Sequence, residues 1–115
     1  MSQNACFLRR RRQNVDVRVI SLKRLREFWE QHGDAEGPLR AWYRTVLGAE
    51  WKSLKDARET YPHADGVETA SGTMTVFNIG GNKYRLVARI RYEYRLVNVR
   101  VVLTHAEYDR GLWKE

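Results

Sequence analysis

The fold is decided by a stretch late in the chain, VFNIGGNKYRLVARIRYEYRLVNVRVVLTHAEYD, residues 76–109. From Lys83 to Tyr92 the even positions are apolar or aromatic through residue 90, and most odd positions are basic. Such alternation is typical of a strand with one buried and one wet face. Residues Val97–Leu103 alternate in the same manner, with apolar odd positions. The stretch therefore predicts neighbouring half-buried strands.

Tight turns would join these strands into an antiparallel meander. A turn at Glu93-Tyr94 would pair residues whose numbers sum to about 187, because both apolar faces then coincide. The expected pairs are Leu86 with Val101, Ala88 with Val99, and Ile90 with Val97. A two-residue turn at Gly80-Gly81 would add the strand Thr73–Ile79 and place Asn78 opposite Lys83. The predicted wet face carries Asn78, Lys83, Arg85, Arg89, Asn98 and Arg100.

The positive charge of the chain is concentrated on this sheet. The formal net charge is +7, and residues 73–103 hold six basic residues against one acid, whereas nine bases balance nine acids in residues 17–72. A face of one sign attracts a polyanion, and phosphate is the commonest target. A simpler interpretation is that the cations only keep an exposed sheet soluble.

The first half of the chain predicts helices. Alternation at Val15, Val17 and Val19 indicates a short first strand, and Ser21 is a plausible N-cap. Apolar residues at helical spacing predict a first helix that ends at about Gln31 and a second from Pro38 to Leu47, ended by Gly48. A capping box at Ser53 and Asp56 predicts a third helix, which runs to Thr60. A short helix near Glu107–Trp113 would close the chain. We therefore expect an α+β fold, in which an N-terminal strand and two to three helices pack on an antiparallel sheet. Residues 17–115 would form one domain, preceded by a basic, disordered extension of residues 1–16.

Several classes of protein are disfavoured by composition. The single Cys6 leaves no internal disulfide framework and fits a reducing cytoplasm. His32, His63 and His105 show no metal-ligand spacing, so neither a metal nor a small-molecule cofactor is expected. No apolar run is long enough to cross a bilayer, so we expect a cytoplasmic protein without a membrane partner.

A family resemblance rests on the segments FNIGGNKYR, YRLV and THAEYD and on the order of the predicted elements. From about Val17 to Trp113 the chain resembles the HigB family of bacterial toxins, within the RelE/ParE superfamily. The resemblance implies an mRNA interferase that cuts mRNA, typically on the translating ribosome, and so inhibits translation and growth. It also implies a HigA-type helix-turn-helix antitoxin as a partner.

The resemblance and the charge pattern together nominate site residues. The YRLV arginine of related toxins binds the scissile phosphate, which implies that role for Arg85, and the end of the following strand implies acid-base roles for His105 and Tyr108. Cleavage needs the phosphate held, the 2′-hydroxyl activated and the 5′-oxygen protonated, and Lys83 would assist Arg85 in holding the phosphate. RNA contacts are predicted for Asn78, Arg89, Arg100, Lys52, Lys55 and Arg58.

Alternatives remain open for these residues and for the function. His105 could cap or pack a helix, Tyr108 could pack beneath it, and Asn82 is better explained by turn formation. The odd phase of β-alternation would point His105 toward the core unless the chain bends after Leu103. A ParE-like toxin acting on DNA gyrase would need no RNA-cleaving groups, and a non-catalytic RNA-binding module should show exposed aromatic side chains for base stacking.

Overall fold

The computed structural model describes residues 18–114, so the predicted extension at residues 1–16 and the start of the first predicted strand lie outside it. The four helices and five strands are, in chain order, β1 (Arg18–Ile20), α1 (Leu22–Gln31), α2 (Glu36–Leu47), α3 (Leu54–Thr60), β2 (Asp65–Thr69), β3 (Gly72–Ile79), β4 (Tyr84–Arg91), β5 (Leu96–Thr104) and α4 (His105–Arg110). Short 3₁₀ turns precede α2, link β4 to β5 and follow α4. The predicted α+β class is confirmed.

The three helices of the first half lie where their apolar spacing predicts. In α2 the buried side chains are Leu39, Trp42 and Val46, spaced three and four residues apart, and Gly48 ends the helix. Ser21 and Ser53 occupy the predicted N-cap positions, but neither side chain makes a capping bond. Ser21 precedes α1 with a φ of 77° and makes no capping bond, since its hydroxyl donates to Asn98 Oδ1 at 3.3 Å. Before α3, Ser53 likewise makes no side-chain cap.

The sheet has the order β1-β5-β4-β3-β2, and it is mixed rather than antiparallel. β1 runs parallel to β5, with Val19 opposite Val97. A parallel neighbour needs a long connection, which the helices between β1 and β2 supply. β2 was missed because its sequence, DGVET, is polar and lies at an exposed edge without apolar alternation.

The turn between β3 and β4 is longer than predicted. It spans residues 80–83, with Gly80 and Gly81 at φ values of 63° and 71°. These left-handed conformations suit glycine, which has no Cβ to clash. Asn78 therefore lies opposite Arg85 and not opposite Lys83.

A β-bulge in β5 changes the predicted register halfway along the strand. Ala88 pairs with Val99 as expected, but Val87 pairs with Val101 and Leu86 with Val102, so Arg100 is an extra residue. An extra residue reverses the alternation of everything after it. The β4–β5 connection is a 3₁₀ turn over Tyr92–Tyr94 and not a tight turn at Glu93-Tyr94.

The face of the sheet that was predicted to be wet is only partly so. After the bulge, Val101 and Leu103 lie on this face and belong to a second, smaller core. The main core lies between the sheet and α1 to α3 and includes Leu25, Leu39, Trp42, Phe77, Leu86 and Val99. On the other face, α4 and the 3₁₀ turn Leu112–Lys114 pack Tyr108 and Trp113 against Met74, Val76, Val87, Val101 and Leu103. Only part of the second face is therefore left for charged side chains.

Candidate active site

Arg85 is a nearly buried cation, with an exposed fraction of 9%. Its Nη1 donates to the backbone oxygens of Asn82 and Tyr84, both at 3.2 Å, and its Nη2 donates to Asn82 Oδ1 at 2.6 Å. Within residues 18–114, the guanidinium forms no ion pair with a carboxylate. A buried charge is normally paired with an opposite charge. Because the acceptors around Arg85 are neutral, its positive charge is not neutralised and can attract an anion.

Tyr108 covers the guanidinium of Arg85. The Arg85 Cζ atom lies 5.4 Å from the centre of the tyrosine ring, which stacks on Trp113 with centroids 5.1 Å apart. Burial raises the pKa of Tyr108, the Asp65 carboxylate adds to this, and Arg85 opposes it. The hydroxyl is therefore protonated at neutral pH and can donate a hydrogen bond. Tyr108 both packs in the second core and faces the site.

His105 is the first residue of α4, and the helix is capped by its neighbour instead. Thr104 Oγ1 accepts from the Glu107 backbone N at 3.2 Å, and Glu107 Oε1 accepts from the Thr104 backbone N at 2.9 Å, a complete capping box. Because Thr104 pairs with Tyr84 after the bulge, the next residue emerges on the side of Arg85. The change of direction that His105 needs to leave the core side therefore comes from the bulge at Arg100 and not from a bend after Leu103.

His105 lies beside two hydrogen-bond acceptors. Its Nδ1 lies 3.2 Å from the backbone oxygen of Asn82, and its Nε2 lies 3.1 Å from Asp109 Oδ2. A carbonyl and a carboxylate can only accept, so a hydrogen bond at either contact is donated by the imidazole ring. The side chain is nevertheless 43% exposed, so a ligand can reach it.

Lys83 contributes its backbone, and not its side chain, to this cluster. Its carbonyl accepts from the His105 backbone N at 3.0 Å, while its ammonium is hydrogen-bonded to Asp34. Asp34 Oδ1 also accepts from the Tyr84 hydroxyl at 2.5 Å. The bonds from Lys83 and Tyr84 hold the pKa of Asp34 below its ordinary value, and the Asp34 carboxylate raises the pKa of Lys83.

The residues predicted to contact RNA are distributed around the cluster. Asn78 lies directly across from Arg85 on β3. Arg89 follows Arg85 on the same face of β4, and its guanidinium lies so close to Gly72 that a Cβ there would be 2.5 Å away. Arg100 is the exposed bulge residue.

On α3, Lys52 is exposed just before the helix and Lys55 is exposed within it. Arg58 is committed to the start of β2, since it donates to the Ala64 backbone oxygen at 2.9 Å and pairs with Asp65 at 3.5 Å. No hydrogen bond or ion pair joins these three cations to Arg85 or His105 in the described part of the chain.

Three residues of this region were not assigned a role in the site from the sequence. Asn82 follows the glycine pair and was explained as a turn residue, although it contacts both Arg85 and His105. Asp109 lies four residues after His105, a spacing that brings side chains together on a helix and was the available signal. Asp34 lies 49 residues before Lys83, so no local pattern indicates their contact.

No group of three or more His, Cys, Asp or Glu side chains in residues 18–114 could hold a metal ion. Over the same residues, no helix is both long enough and apolar enough to cross a membrane.

The chain is similar to a known protein family and to individual members of it. Residues 35–111 match the family model of the HigB toxin, described as the RelE-like toxic component of a toxin-antitoxin system. The chain is 29% identical over 93 residues to the mRNA interferase toxin HigB of Escherichia coli K12, covering 81% of this chain and 88% of that protein. The mRNA interferase HigB of Escherichia coli O6:H1 is 23% identical over 94 residues, covering 82% and 90%.

The matched segment contains the whole cluster around Arg85, including Asn82, His105 and Tyr108. The order of helices and strands is that of an α+β fold, as the resemblance to RelE-like toxins implies. The family model covers well over half of the chain. The chain therefore belongs to the HigB toxin family, the RelE-like toxic components of toxin-antitoxin systems.

Proposed function

We propose that this toxin is an endoribonuclease that cleaves mRNA on the translating ribosome, with Arg85 holding the scissile phosphate. The observation that carries the proposal is the guanidinium of Arg85, a residue with an exposed fraction of 9%, which is held by neutral oxygens and by no carboxylate of the described residues. A phosphodiester would supply the missing negative charge through the planar fork that arginine presents. Relatives named mRNA interferase support RNA as the source of that phosphate.

The contacts of the cluster suggest how the roles divide. Attack of the 2′-hydroxyl on phosphorus forms a cyclic phosphate, breaks the bond to the 5′-oxygen and releases the 2′ proton to solvent water. Arg85 would stabilise the negative charge that develops on the phosphate oxygens. His105, whose ring nitrogens lie beside the Asn82 carbonyl and the Asp109 carboxylate, would give a proton to the departing 5′-oxygen. Tyr108, with its raised pKa, would donate a hydrogen bond and align the phosphate without ionising.

The remaining cations would guide the RNA strand. Asn78 and Arg89 lie on the same face as Arg85, and Arg100 extends that face at the bulge. Lys52 and Lys55 are exposed cations at α3 and would contact the RNA backbone or the ribosome. Such contacts add affinity and make it depend on salt, but they do not take part in bond breaking.

Lys83 fits a supporting role better than direct phosphate binding. Its ammonium already has a carboxylate partner in Asp34, which reduces its attraction for a second anion. Its backbone oxygen holds the first turn of α4 through the His105 N–H. We therefore propose that Lys83 supports the site from beside it and that Arg85 binds the phosphate.

Two further parts of the proposal concern where the toxin acts and what restrains it. Its substrate, translated mRNA, places the activity in the cytoplasm. A HigA-type helix-turn-helix antitoxin is proposed as the neutralising partner, on the strength of the family to which the chain belongs.

The test is cleavage mapping with and without translation. Purified toxin is added to a reconstituted translation reaction and to the same mRNA alone, and new 5′ ends are mapped by primer extension. We expect cuts in translated message that disappear with Arg85→Ala and with His105→Ala. Cuts of naked mRNA at the same sites would remove the ribosome from the proposal. An absence of cuts with folded wild-type protein in both reactions would refute the nuclease and direct attention to DNA gyrase.

A further inference from the structure

One backbone oxygen joins the two groups to which the proposal gives chemical roles. The carbonyl oxygen of Asn82 lies 3.2 Å from Arg85 Nη1 and 3.2 Å from His105 Nδ1. The side chain of the same residue accepts a second bond from Arg85, at 2.6 Å from Nη2 to Oδ1. Asn82 therefore contacts the guanidinium through two atoms and the imidazole through one.

The C-terminal end of the turn that carries Asn82 is held from two directions. On one side, Lys83 and Tyr84 are both hydrogen-bonded to Asp34, next to the start of α2. On the other side, the Lys83 carbonyl accepts from the backbone N of His105. These contacts tie the turn to the helical layer and to α4, so that it can act as a fixed reference for the side chains that touch it.

We propose that Asn82 is a positioning residue for RNA cleavage, which sets the distance between Arg85 and His105 and orients the guanidinium fork. The catalytic consequence rests on the proposed function. Holding one phosphate while protonating its leaving oxygen requires both groups to reach the same phosphorus, and errors of about 1 Å cost on the order of 100-fold in rate. Their shared acceptor keeps the two groups close before substrate arrives.

The chemistry of the side chain adds a second requirement. An amide oxygen accepts from a guanidinium without cancelling its charge, whereas a carboxylate at the same place would form an ion pair and compete with phosphate. Turn formation alone makes no such distinction, because Asn and Asp both favour turns through the same local hydrogen bonds. The replacement Asn82→Asp therefore separates positioning from turn formation.

Steady-state cleavage of RNA by four proteins would test this inference: wild type, Asn82→Ala, Asn82→Asp and the control Thr69→Val. Thr69, the last residue of β2, likewise bonds through its side chain to the backbone of a hairpin turn, since its hydroxyl donates to Gly72 O at 2.7 Å and accepts from Ser71 N at 3.1 Å. For Asn82→Ala we expect kcat to fall on the order of 10- to 100-fold, with KM changed far less. For Asn82→Asp we expect KM to rise by about 10-fold or more, because the added carboxylate pairs with Arg85. Wild-type kinetics in Asn82→Asp, or losses in Asn82→Ala that match those of Thr69→Val at equal stability, would overturn the role.

A second measurement needs no activity. Nitrogen-15 NMR of the free protein reports rotation of the Arg85 guanidinium and the environment of the His105 ring nitrogens. We expect distinct, slowly exchanging Arg85 signals in the wild type and averaged signals in Asn82→Ala, whereas the His105 Nδ1 shift, which reports a backbone contact, should stay the same. Identical spectra in the two proteins would overturn the positioning role, whether or not RNA is cleaved. A wild type that shows ordered Arg85 signals but cleaves no RNA would instead refute the proposed function.

Discussion

Replacing Arg85 is the most informative perturbation of this molecule. Arg85→Ala removes three hydrogen bonds of 2.6 to 3.2 Å and a guanidinium that stacks under the Tyr108 ring. Loss of a donor that stabilises developing charge lowers kcat on the order of 100- to 1000-fold, about 3 to 4 kcal/mol in activation free energy. Arg85→Lys keeps the charge but loses the two-pronged fork, so we expect an intermediate loss.

The expected change in folding stability is much smaller. Loss of the hydrogen bonds and of the cation–π contact lowers the stability of the protein. Removal of an unpaired, nearly buried charge raises it and offsets part of this loss. The oxygens of Asn82, an exposed residue, are open to water once the guanidinium is gone. We therefore expect the free energy of unfolding to change by no more than about 2 kcal/mol.

The assay is single-turnover cleavage of a defined RNA in translation mixtures, with urea denaturation of each variant in parallel. Arg89→Ala is the comparison variant, because Arg89 lies on the same strand and the same face as Arg85. We expect it to weaken RNA binding and to reduce the salt dependence of affinity by about 0.7 per lost phosphate contact. A folded Arg85→Ala protein whose cleavage rate stays within a few-fold of wild type would refute the reasoning.

Four further predictions concern single residues. Tyr108→Phe should keep the stacking and the stability but lower the cleavage rate on the order of 10-fold or more in single-turnover kinetics, since it removes only the hydroxyl; unchanged kinetics would leave Tyr108 a packing residue. Thr104→Ala should lower the free energy of unfolding by about 1 kcal/mol through loss of the α4 cap, and an unchanged urea midpoint would contradict this. Trp42→Phe should change the free energy of unfolding by no more than about 1 kcal/mol by the same measurement, because the lost volume is offset by removal of a buried Nε1 that has no partner in residues 18–114. The pKa of Asp34 is lowered by Lys83, so its contribution to stability is complete above the ordinary value of 3.8 and is lost as pH falls through the folded-state pKa; pH titrations of stability should show this loss in wild type and not in Asp34→Asn.

Several features of the fold were predictable from short patterns in the chain. The bounds of α1, the spacing of Leu39, Trp42 and Val46 in α2, and the alternation in β4 each depend on neighbours within a few residues. A helix or a strand exposes one face to the core at a fixed period, so this information is local. Charge and a family motif likewise nominated Arg85 as a site residue from the sequence.

The mixed sheet, the edge strand β2 and the true length of the β3–β4 turn were not predictable in this way. β1 lies beside β5, nearly eighty residues later in the chain, and β2 has no apolar pattern of its own. Strand order depends on which edges remain free after the other elements pack. The residues of a single strand therefore do not specify which other strand will pair with it.

What the sequence by itself determined is therefore the set of local elements, their buried faces and the basic character of the sheet. Only the tertiary structure decided that the bulge at Arg100 turns His105 toward Arg85, and that Asn82 holds the two together. The physical reason is that a bulge is defined by how two strands align, and a shared hydrogen-bond acceptor by where three chain segments meet. Periodicity specifies the face of each element, whereas the geometry of the site arises from registers and contacts between elements.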